Sequence, residues 1–236
     1  MNIVLVHGSY SGAWVWEQVR PDLEERGNRV TAIDLPVSDP NAGAGAYART
    51  IIEAVDWTEP PVLVGHSMSG LVVPVVAAAR PVRRLVFIAA FLARPGVSAT
   101  EQRQSEPIDP VTPPATHEWT DLGNGVWSVG PDTATELFWH DATPRVAAWA
   151  VARLRPQSYR VITETSPLVA WPDVPSAYIA CRDDHAMNPA WQRRAARERL
   201  GVEAVEIDGG HTPMLSRPAE LAQLIDTLAR APIAPA

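Results

Sequence analysis

Apolar runs separated by helical spacing dominate the first part of the chain and restrict the folds it can adopt. The runs Ile3–Val6, Val62–Val64 and Leu85–Ala89 are apolar throughout, whereas Arg29–Ile33 alternates as a strand. Strands that are apolar throughout are typical of a parallel sheet covered on both faces. Because helical patterns lie between these runs, the sequence predicts repeated βαβ units and an α/β fold with a doubly wound, mostly parallel sheet.

The alternation stops near residue 92 and resumes after residue 173. Many of the 23 prolines fall in this interval, where they resist regular structure, and Asn124-Gly125 predicts a hairpin turn. The interval is too long for a plain loop, so we expect a cap over residues 92–173 inserted into a core of residues 1–91 and 174–236. The remaining elements are predicted as helices over Ala13–Arg26, Ala46–Trp57, Met68–Ala79, Thr133–Trp139, Arg145–Arg153, Ala190–Leu200 and Ala219–Ala229, and as strands over Ala177–Cys181 and Ala204–Ile207.

Composition argues against several classes of partner and cofactor. With a formal net charge of −7 the chain offers no basic surface for nucleic acid, and no apolar run approaches the ~20 residues that span a bilayer. Met1 leads directly into the first strand without a secretory signal, and Cys181 is the only cysteine, so we expect a cytoplasmic protein. Neither metal-ligand spacing nor a nucleotide-binding glycine motif is present, which indicates chemistry without metal or cofactor. The oligomeric state is open, a homodimer included.

The segment Gly65–Gly70 (GHSMSG) joins an apolar strand to an apolar helix. Small residues two positions before and after Ser67, here Gly65 and Ser69, allow the strained turn that lifts a serine hydroxyl above the edge of a sheet. Glycine is usual at the second of these positions, and Ser69 keeps the side chain small. We therefore predict that Ser67 is a nucleophile rather than a structural turn residue.

A serine hydroxyl needs a base to become nucleophilic, and six histidines are available. His211 follows the strand over Ala204–Ile207 and the pair Gly209-Gly210, which allows a sharp loop over the carboxyl edge of the sheet. We predict that His211 is this base. Packing roles are expected for His66 and His7.

The acid that orients the base should follow a strand that lies between the two in sequence. The strand over Ala177–Cys181 ends in Arg182, Asp183 and Asp184, so two carboxylates qualify and spacing alone does not separate them. Either one would hold the imidazole in its reactive tautomer and stabilise the imidazolium. Asp208 and Asp34 are expected to serve local turns.

Backbone N–H groups are expected to stabilise the negative charge that develops on the substrate oxygen. One donor should be the N–H of Met68, directly after the nucleophile. The other should come from the loop after the first strand, where Gly8 and Gly12 allow the backbone to approach closely. We predict that the N–H of Ser9 is this donor. Losing one such donor typically costs ~3 kcal/mol of transition-state stabilisation. The alternative is a flexible glycine loop without this role.

Together these motifs resemble the small α/β-hydrolases that include plant methyl-ester esterases and hydroxynitrile lyases. The resemblance covers nearly the whole chain and rests on His7-Gly8 with Gly12-Ala13-Trp14, Gly65–Gly70, Tyr178–Gln192, and Gly209-Gly210-His211 with Leu215–Pro218 behind it. In that family the acid lies five residues before the proline that opens the next helix. With Pro189 in that position, the resemblance selects Asp184.

Two positions separate the esterases of this family from its lyases. The lyases carry a threonine where Gly8 stands, and a lysine directly after the catalytic histidine, where this chain has Thr212. The resemblance therefore implies an esterase. It also places the cap helix with Phe138 and Trp139 over an apolar pocket, so Gly8, Phe138 and Trp139 are candidate substrate contacts. Packing within the cap is the alternative role for these aromatic residues.

The predicted function is a serine hydrolase that cleaves a small, largely apolar carboxylic ester through an acyl-enzyme. Two alternatives stay open. The same triad could serve non-hydrolytic biosynthetic chemistry, such as lactonisation, cyclisation or lyase chemistry, or the chain could be a ligand-binding receptor on this fold. An epoxide or haloalkane hydrolase is excluded, because that chemistry needs a carboxylate where Ser67 stands.

Overall fold

A computed structural model describes residues 1–110 and 114–232; residues 111–113, in the predicted cap, and 233–236, at the end of the predicted core, lie outside it. The described residues form nine strands: β1 (Asn2–Val6), β2 (Arg29–Ile33), β3 (Val62–His66), β4 (Arg84–Ile88), β5 (Trp119–Asp121), β6 (Val126–Val129), β7 (Gln157–Ser158), β8 (Ser176–Cys181) and β9 (Val205–Ile207). Six of them make one sheet in the order β2-β1-β3-β4-β8-β9. Every neighbouring pair in this sheet is parallel.

Helices cover both faces of this sheet. Over the described ranges the α-helices are α1 (Arg20–Glu25), α2 (Ala44–Ala54), α3 (Val73–Ala79), α4 (Ala99–Ser105), α5 (Pro131–Phe138), α6 (Pro144–Val151), α7 (Arg160–Thr163), α8 (Pro189–Ala195), α9 (Pro213–Ser216) and α10 (Pro218–Arg230). None of the helices in the described part of the chain is long and apolar enough to cross a bilayer.

Alternate residues of the central strands enter two separate hydrophobic cores. In β1, Val4 and Val6 join one core, while Ile3 and Leu5 join the other on the opposite face. Every residue of β1, β3 and β4 is buried, which explains why the runs Ile3–Val6, Val62–Val64 and Leu85–Ile88 within them are apolar throughout. The predicted doubly wound α/β fold is therefore confirmed.

Two predicted helices are wrong in their continuity, and a proline explains each break. The segment predicted as one helix over Ala13–Arg26 is a 3-10 turn over Ala13–Trp16 followed by α1, which has Pro21 in its first turn. The helix predicted over Met68–Ala79 is a 3-10 turn over Ser67–Leu71 followed by α3, which has Pro74 in its first turn. Proline lacks an N–H and clashes with the carbonyl four residues earlier, so each helix restarts there.

Residues 92–173, for which we keep the name cap, contain α4 to α7 and a second sheet in the order β5-β6-β7. The predicted hairpin is present, because β5 pairs with β6 antiparallel across a turn at Asn124-Gly125. Both turn residues have left-handed backbones, with φ of 54° and 73°. The division of the chain into core and cap stays a prediction.

Candidate active site

Ser67 lies at the carboxyl end of β3 on a strained turn. Its φ is 53°, a left-handed value that L-residues rarely adopt. The turn also requires close backbone approach, because a Cβ on Gly70 would lie 2.0 Å from the carbonyl oxygen of Phe91. The small residues around Ser67 thus let the chain reverse directly over the sheet edge.

The three residues predicted as nucleophile, base and acid are joined by two hydrogen bonds in that order. Ser67 Oγ is 2.9 Å from His211 Nε2, and His211 Nδ1 is 2.8 Å from Asp184 Oδ2. The side chains of His211 and Asp184 are only 4% and 0% exposed, so water competes little for these bonds. A carboxylate accepts but does not donate, so Nδ1 carries the proton and Nε2 presents its lone pair to the serine.

Asp184 is turned inward by its own loop, whereas its neighbour is not. Its Oδ1 accepts hydrogen bonds from the N–H groups of Ala186 and Met187 at 2.8 and 2.9 Å. Asp183, the other candidate acid, has a side chain that is 70% exposed and lies 3.8 Å from His185. Of the two carboxylates, Asp184 is therefore the one that reaches His211.

Gln192 is a polar contact of this acid that the sequence analysis missed. It is fully buried on α8, and its Nε2 donates to Asp184 Oδ2 at 2.7 Å. The available signal was a polar residue between Trp191 and Ala195 on the buried face of a predicted helix. Buried polar groups of this kind normally have a specific partner.

His66 and His7 have the packing roles expected of them. His66 Nε2 donates to the carbonyl oxygen of His211 at 2.9 Å and so supports the loop that carries His211. His7 Nδ1 donates to the carbonyl oxygen of Gly8 at 2.8 Å, and Nε2 accepts from the N–H of Leu35 at 3.0 Å. Burial lowers the pKa of His7 to about 4 and that of His66 well below its ordinary value, so both rings are neutral.

The loop after β1 lies directly against the nucleophile. A Cβ on Gly8 would lie 2.8 Å from the Cβ of Ser67, so this position accepts no side chain without movement. The N–H of Ser9 donates no hydrogen bond to other described residues. Met68, in the first turn of its 3-10 helix, also has an N–H without a helical partner. Two backbone donors near Ser67 are thus available to a ligand.

Two cavities meet at Ser67. One has a volume of about 790 Å³ and the other about 30 Å³. Both are lined by Ser9, Tyr10, Ser67, Phe138 and His211. The lining is mainly aromatic near the serine, which suits an apolar ligand.

The cap residues predicted to contact substrate line these cavities. Phe138 lines both, and its ring centroid is 5.8 Å from that of His211. Trp139 is buried and lines only the smaller cavity. Gly8 acts differently, since it allows the loop to pack behind Ser67.

The residues that follow α5 connect the cap to the loops carrying Asp184 and His211. His140 Nε2 donates to the carbonyl oxygen of Asp183 at 2.9 Å, directly before Asp184. Asp141 Oδ2 accepts from the N–H of Gly210 at 2.8 Å, directly before His211. The cap thereby fixes both loops through adjacent residues.

One group of potential metal ligands lies at this junction in the described part of the chain. Ligand atoms of His140, Asp183 and His185 all lie within 4.8 Å of one another. The two imidazoles stack with centroids 3.6 Å apart and planes 13° from parallel, so their lone pairs do not converge. We interpret the group as a packing contact, and the absence of a metal or cofactor from the chemistry stays a prediction.

The sequence model of the Alpha/beta hydrolase family matches residues 3–224. The chain belongs to the alpha/beta hydrolase family. This alpha/beta hydrolase is 28% identical to Methylesterase 7 of Arabidopsis thaliana, in a match that covers 95% of this chain and 94% of the relative. It is 29% identical to Norfluorocurarine synthase 2 of a Strychnos species, in a match that covers 95% of this chain and 93% of the relative.

A solved structure supports the same assignment of fold. The crystal structure of the pyrethroid hydrolase PytH superposes with a TM-score of 0.81 at 26% identity, covering 100% of this chain and 99% of that one. The predicted resemblance to plant methylesterases is confirmed by these comparisons. This alpha/beta hydrolase is accordingly an enzyme of the hydrolase class.

Proposed function

We propose that this protein is a serine esterase in which Ser67 attacks the ester carbonyl. His211 takes the proton from Ser67 Oγ, and Asp184 holds the imidazole in the tautomer that can accept it. The observation that carries the proposal is the hydrogen-bonded series from Ser67 through His211 to Asp184, at 2.9 and 2.8 Å. The same order of serine, histidine and aspartate is found in the catalytic triads of enzymes that transfer acyl groups.

The negative charge on the tetrahedral oxygen needs donors that are already in place. The N–H groups of Ser9 and Met68 serve this role, since each lacks another partner near Ser67. Each such donor typically contributes ~3 kcal/mol to transition-state stabilisation. The imidazolium then gives its proton to the leaving alcohol, and a water deprotonated by His211 releases the acyl group.

The substrate is a largely apolar carboxylic ester. Of the two cavities that meet at Ser67, the larger accepts the bulky part of the ester. The smaller cavity, of about 30 Å³, holds only a group the size of one or two waters. A small alkyl group on one side of the ester bond fits this division, and the relative named methylesterase supports it.

A non-hydrolytic biosynthetic reaction is the second candidate, because one relative is named a synthase. The same triad would perform it, so the site does not separate the two functions. Product analysis does: an esterase releases equal amounts of acid and alcohol, whereas a cyclase or lyase releases a different set.

The test combines a fluorophosphonate probe with p-nitrophenyl esters. We expect the probe to label Ser67, identified by mass spectrometry of peptides, and we expect a pre-steady-state burst of p-nitrophenol when the ester is in excess. Both should disappear in Ser67→Ala and fall at least a thousandfold in His211→Ala. Ser216→Ala is the matched control, since that buried hydroxyl has no hydrogen-bond partner among the described residues. Label on another residue, or hydrolysis retained by Ser67→Ala, would overturn the proposal.

A further inference from the structure

Two tyrosine hydroxyls meet in the wall of the larger cavity. The hydroxyl oxygens of Tyr10 and Tyr159 are 2.8 Å apart, and both side chains line that cavity. Tyr10 belongs to the loop after β1, and Tyr159 lies in the cap between β7 and α7. Neither takes part in the proton transfers of the proposed mechanism.

Tyr10 is held in an unusual backbone conformation. Its φ is 58°, a left-handed value that costs an ordinary L-residue about 1–2 kcal/mol. Two cap residues hold this backbone: the N–H of Tyr10 donates to Gln157 Oε1 at 3.4 Å, and its carbonyl accepts from the N–H of Arg155 at 3.0 Å. The strained backbone aims the ring into the cavity.

Aromatic packing fixes the ring of Tyr10 as well. Its centroid is 5.5 Å from that of Trp119 and 6.3 Å from that of Phe138. Tyr159 stacks on Trp127 with centroids 5.7 Å apart. The two hydroxyls are therefore presented at a defined position among aromatic side chains, which suits a flat substrate.

The hydrogen bond between the tyrosines leaves one hydroxyl proton unused. Tyr10 donates to Tyr159, and the hydroxyl of Tyr159 has no acceptor among the described residues. Burial raises the pKa of Tyr10 far above its ordinary value, so this donor stays protonated. Accepting a hydrogen bond also makes the Tyr159 hydroxyl a better donor. The half-buried Tyr159 thus offers a donor toward the cavity.

We propose that the Tyr10–Tyr159 pair is a specificity site that donates a hydrogen bond to an acceptor oxygen of the substrate other than the ester oxygens. The substrate class is an aromatic or similarly flat ester that carries an ether, hydroxyl or carbonyl oxygen on the part in the larger cavity. This proposal rests on the proposed esterase function. The pair acts in substrate recognition, because neither hydroxyl takes part in the proton transfers of the reaction.

The test uses pairs of esters in which an ether oxygen of one replaces a methylene group of the other. Methyl methoxybenzoates (ortho, meta and para) are compared with the methyl ethylbenzoates of the same shape, which lack the acceptor. We expect the wild-type kcat/KM of the best methoxy isomer to exceed that of its ethyl counterpart about tenfold, mainly through KM. In Tyr159→Phe this ratio should fall to about one, and Tyr10→Phe should give an intermediate ratio.

Thr100→Val is the matched control, because Thr100 places another hydroxyl on the same cavity and bonds only to the carbonyl oxygen of Ile162 among the described residues. It should keep the wild-type ratio. The proposal is overturned if no methoxy isomer is preferred by the wild type, or if Tyr159→Phe lowers kcat/KM for both members of a pair equally.

A binding measurement separates this proposal from the esterase mechanism. Ser67→Ala is titrated with each ester, and binding is followed by tryptophan fluorescence, since Trp119 lines the cavity. About tenfold tighter binding of the methoxy isomer, lost in Ser67→Ala/Tyr159→Phe, supports the specificity site even if the wild type turns over no ester. Equal binding of the methoxy and ethyl forms overturns the site even if the esterase proposal stands.

Discussion

Gln192 donates from Nε2 to Asp184 Oδ2 at 2.7 Å, the same oxygen that lies 2.8 Å from His211 Nδ1. The amide is itself fixed at both ends. Its Oε1 accepts from the N–H of Cys181 at 3.3 Å, and its Nε2 also donates to the carbonyl of Met187 at 3.2 Å. Gln192 is therefore a positioning residue that ties the carboxylate to β8 and to its own loop.

Replacement of Gln192 by Met should lower kcat about tenfold and leave KM within twofold, because a bond to a charged group is lost while two backbone N–H groups still hold the carboxylate. Steady-state kinetics on a p-nitrophenyl ester measures both constants. Gln223→Met, on the exposed face of α10, is the control and should match the wild type. A tenfold rise in KM with kcat unchanged would contradict the positioning role.

Gly8→Ala should reduce the rate of fluorophosphonate labelling at least a hundredfold. The new Cβ would lie 2.8 Å from Ser67 Cβ and 2.9 Å from His66 Nδ1, so Ser67 must move. Gly45→Ala adds the same methyl group in open space on α2 and should label at the wild-type rate. Circular dichroism checks that both variants fold. Wild-type labelling of a folded Gly8→Ala would show that the loop does not press on Ser67.

Ser69→Ala should destabilise the protein by about 1–3 kcal/mol in urea unfolding. The buried Ser69 hydroxyl donates to the carbonyl oxygen of His7, which would lose its partner inside the protein. Ser11→Ala is the matched control, because the buried Ser11 hydroxyl has no partner among the described residues and its loss should be nearly neutral. Equal effects of the two substitutions would refute this assignment.

Acid should destabilise the protein through His7. The pKa of His7 falls from 6.5 to about 4 on folding, chiefly because of burial, so between these values the unfolded chain binds more protons. Stability from this residue is full above pH 6.5 and is lost as the pH falls toward 4, by about 3 kcal/mol in total. Urea unfolding across this range measures the loss, and NMR of the His7 ring measures its titration. Titration of the folded ring near 6.5 would contradict the prediction.

Local sequence signals were sufficient for the central sheet and for the candidates around Ser67. Aliphatic runs such as Ile3–Val6 indicate a strand that is buried on both faces, and the small residues flanking Ser67 indicate a tight turn. Proline interrupts a helix, so Pro21 and Pro74 also indicate the two breaks, but the apolar spacing continues across both and favours a single helix.

Contacts between distant segments were not accessible from the sequence. Asp183 and Asp184 both follow β8, and only the N–H groups beyond them decide which one turns inward. Tyr10 and Tyr159 are 149 positions apart, so their contact depends on how the cap packs on the core. Such pairings arise from tertiary packing, which single-residue patterns do not encode.

The adjacent contacts of His140 and Asp141 restrict how a chain of this design can diverge. The β5–β6 hairpin tip makes its hydrogen bonds within the cap, so they do not hold the Asp184 and His211 loops. The segment after α5 is more restricted, since His140 holds the Asp184 loop and Asp141 holds the His211 loop. A cap transplanted from another protein would bring a new cavity, but without His140 and Asp141 the Asp184 and His211 loops would each lose one hydrogen bond to the cap. A change of the cap that alters the cavity therefore also alters the support of both loops, through two neighbouring positions.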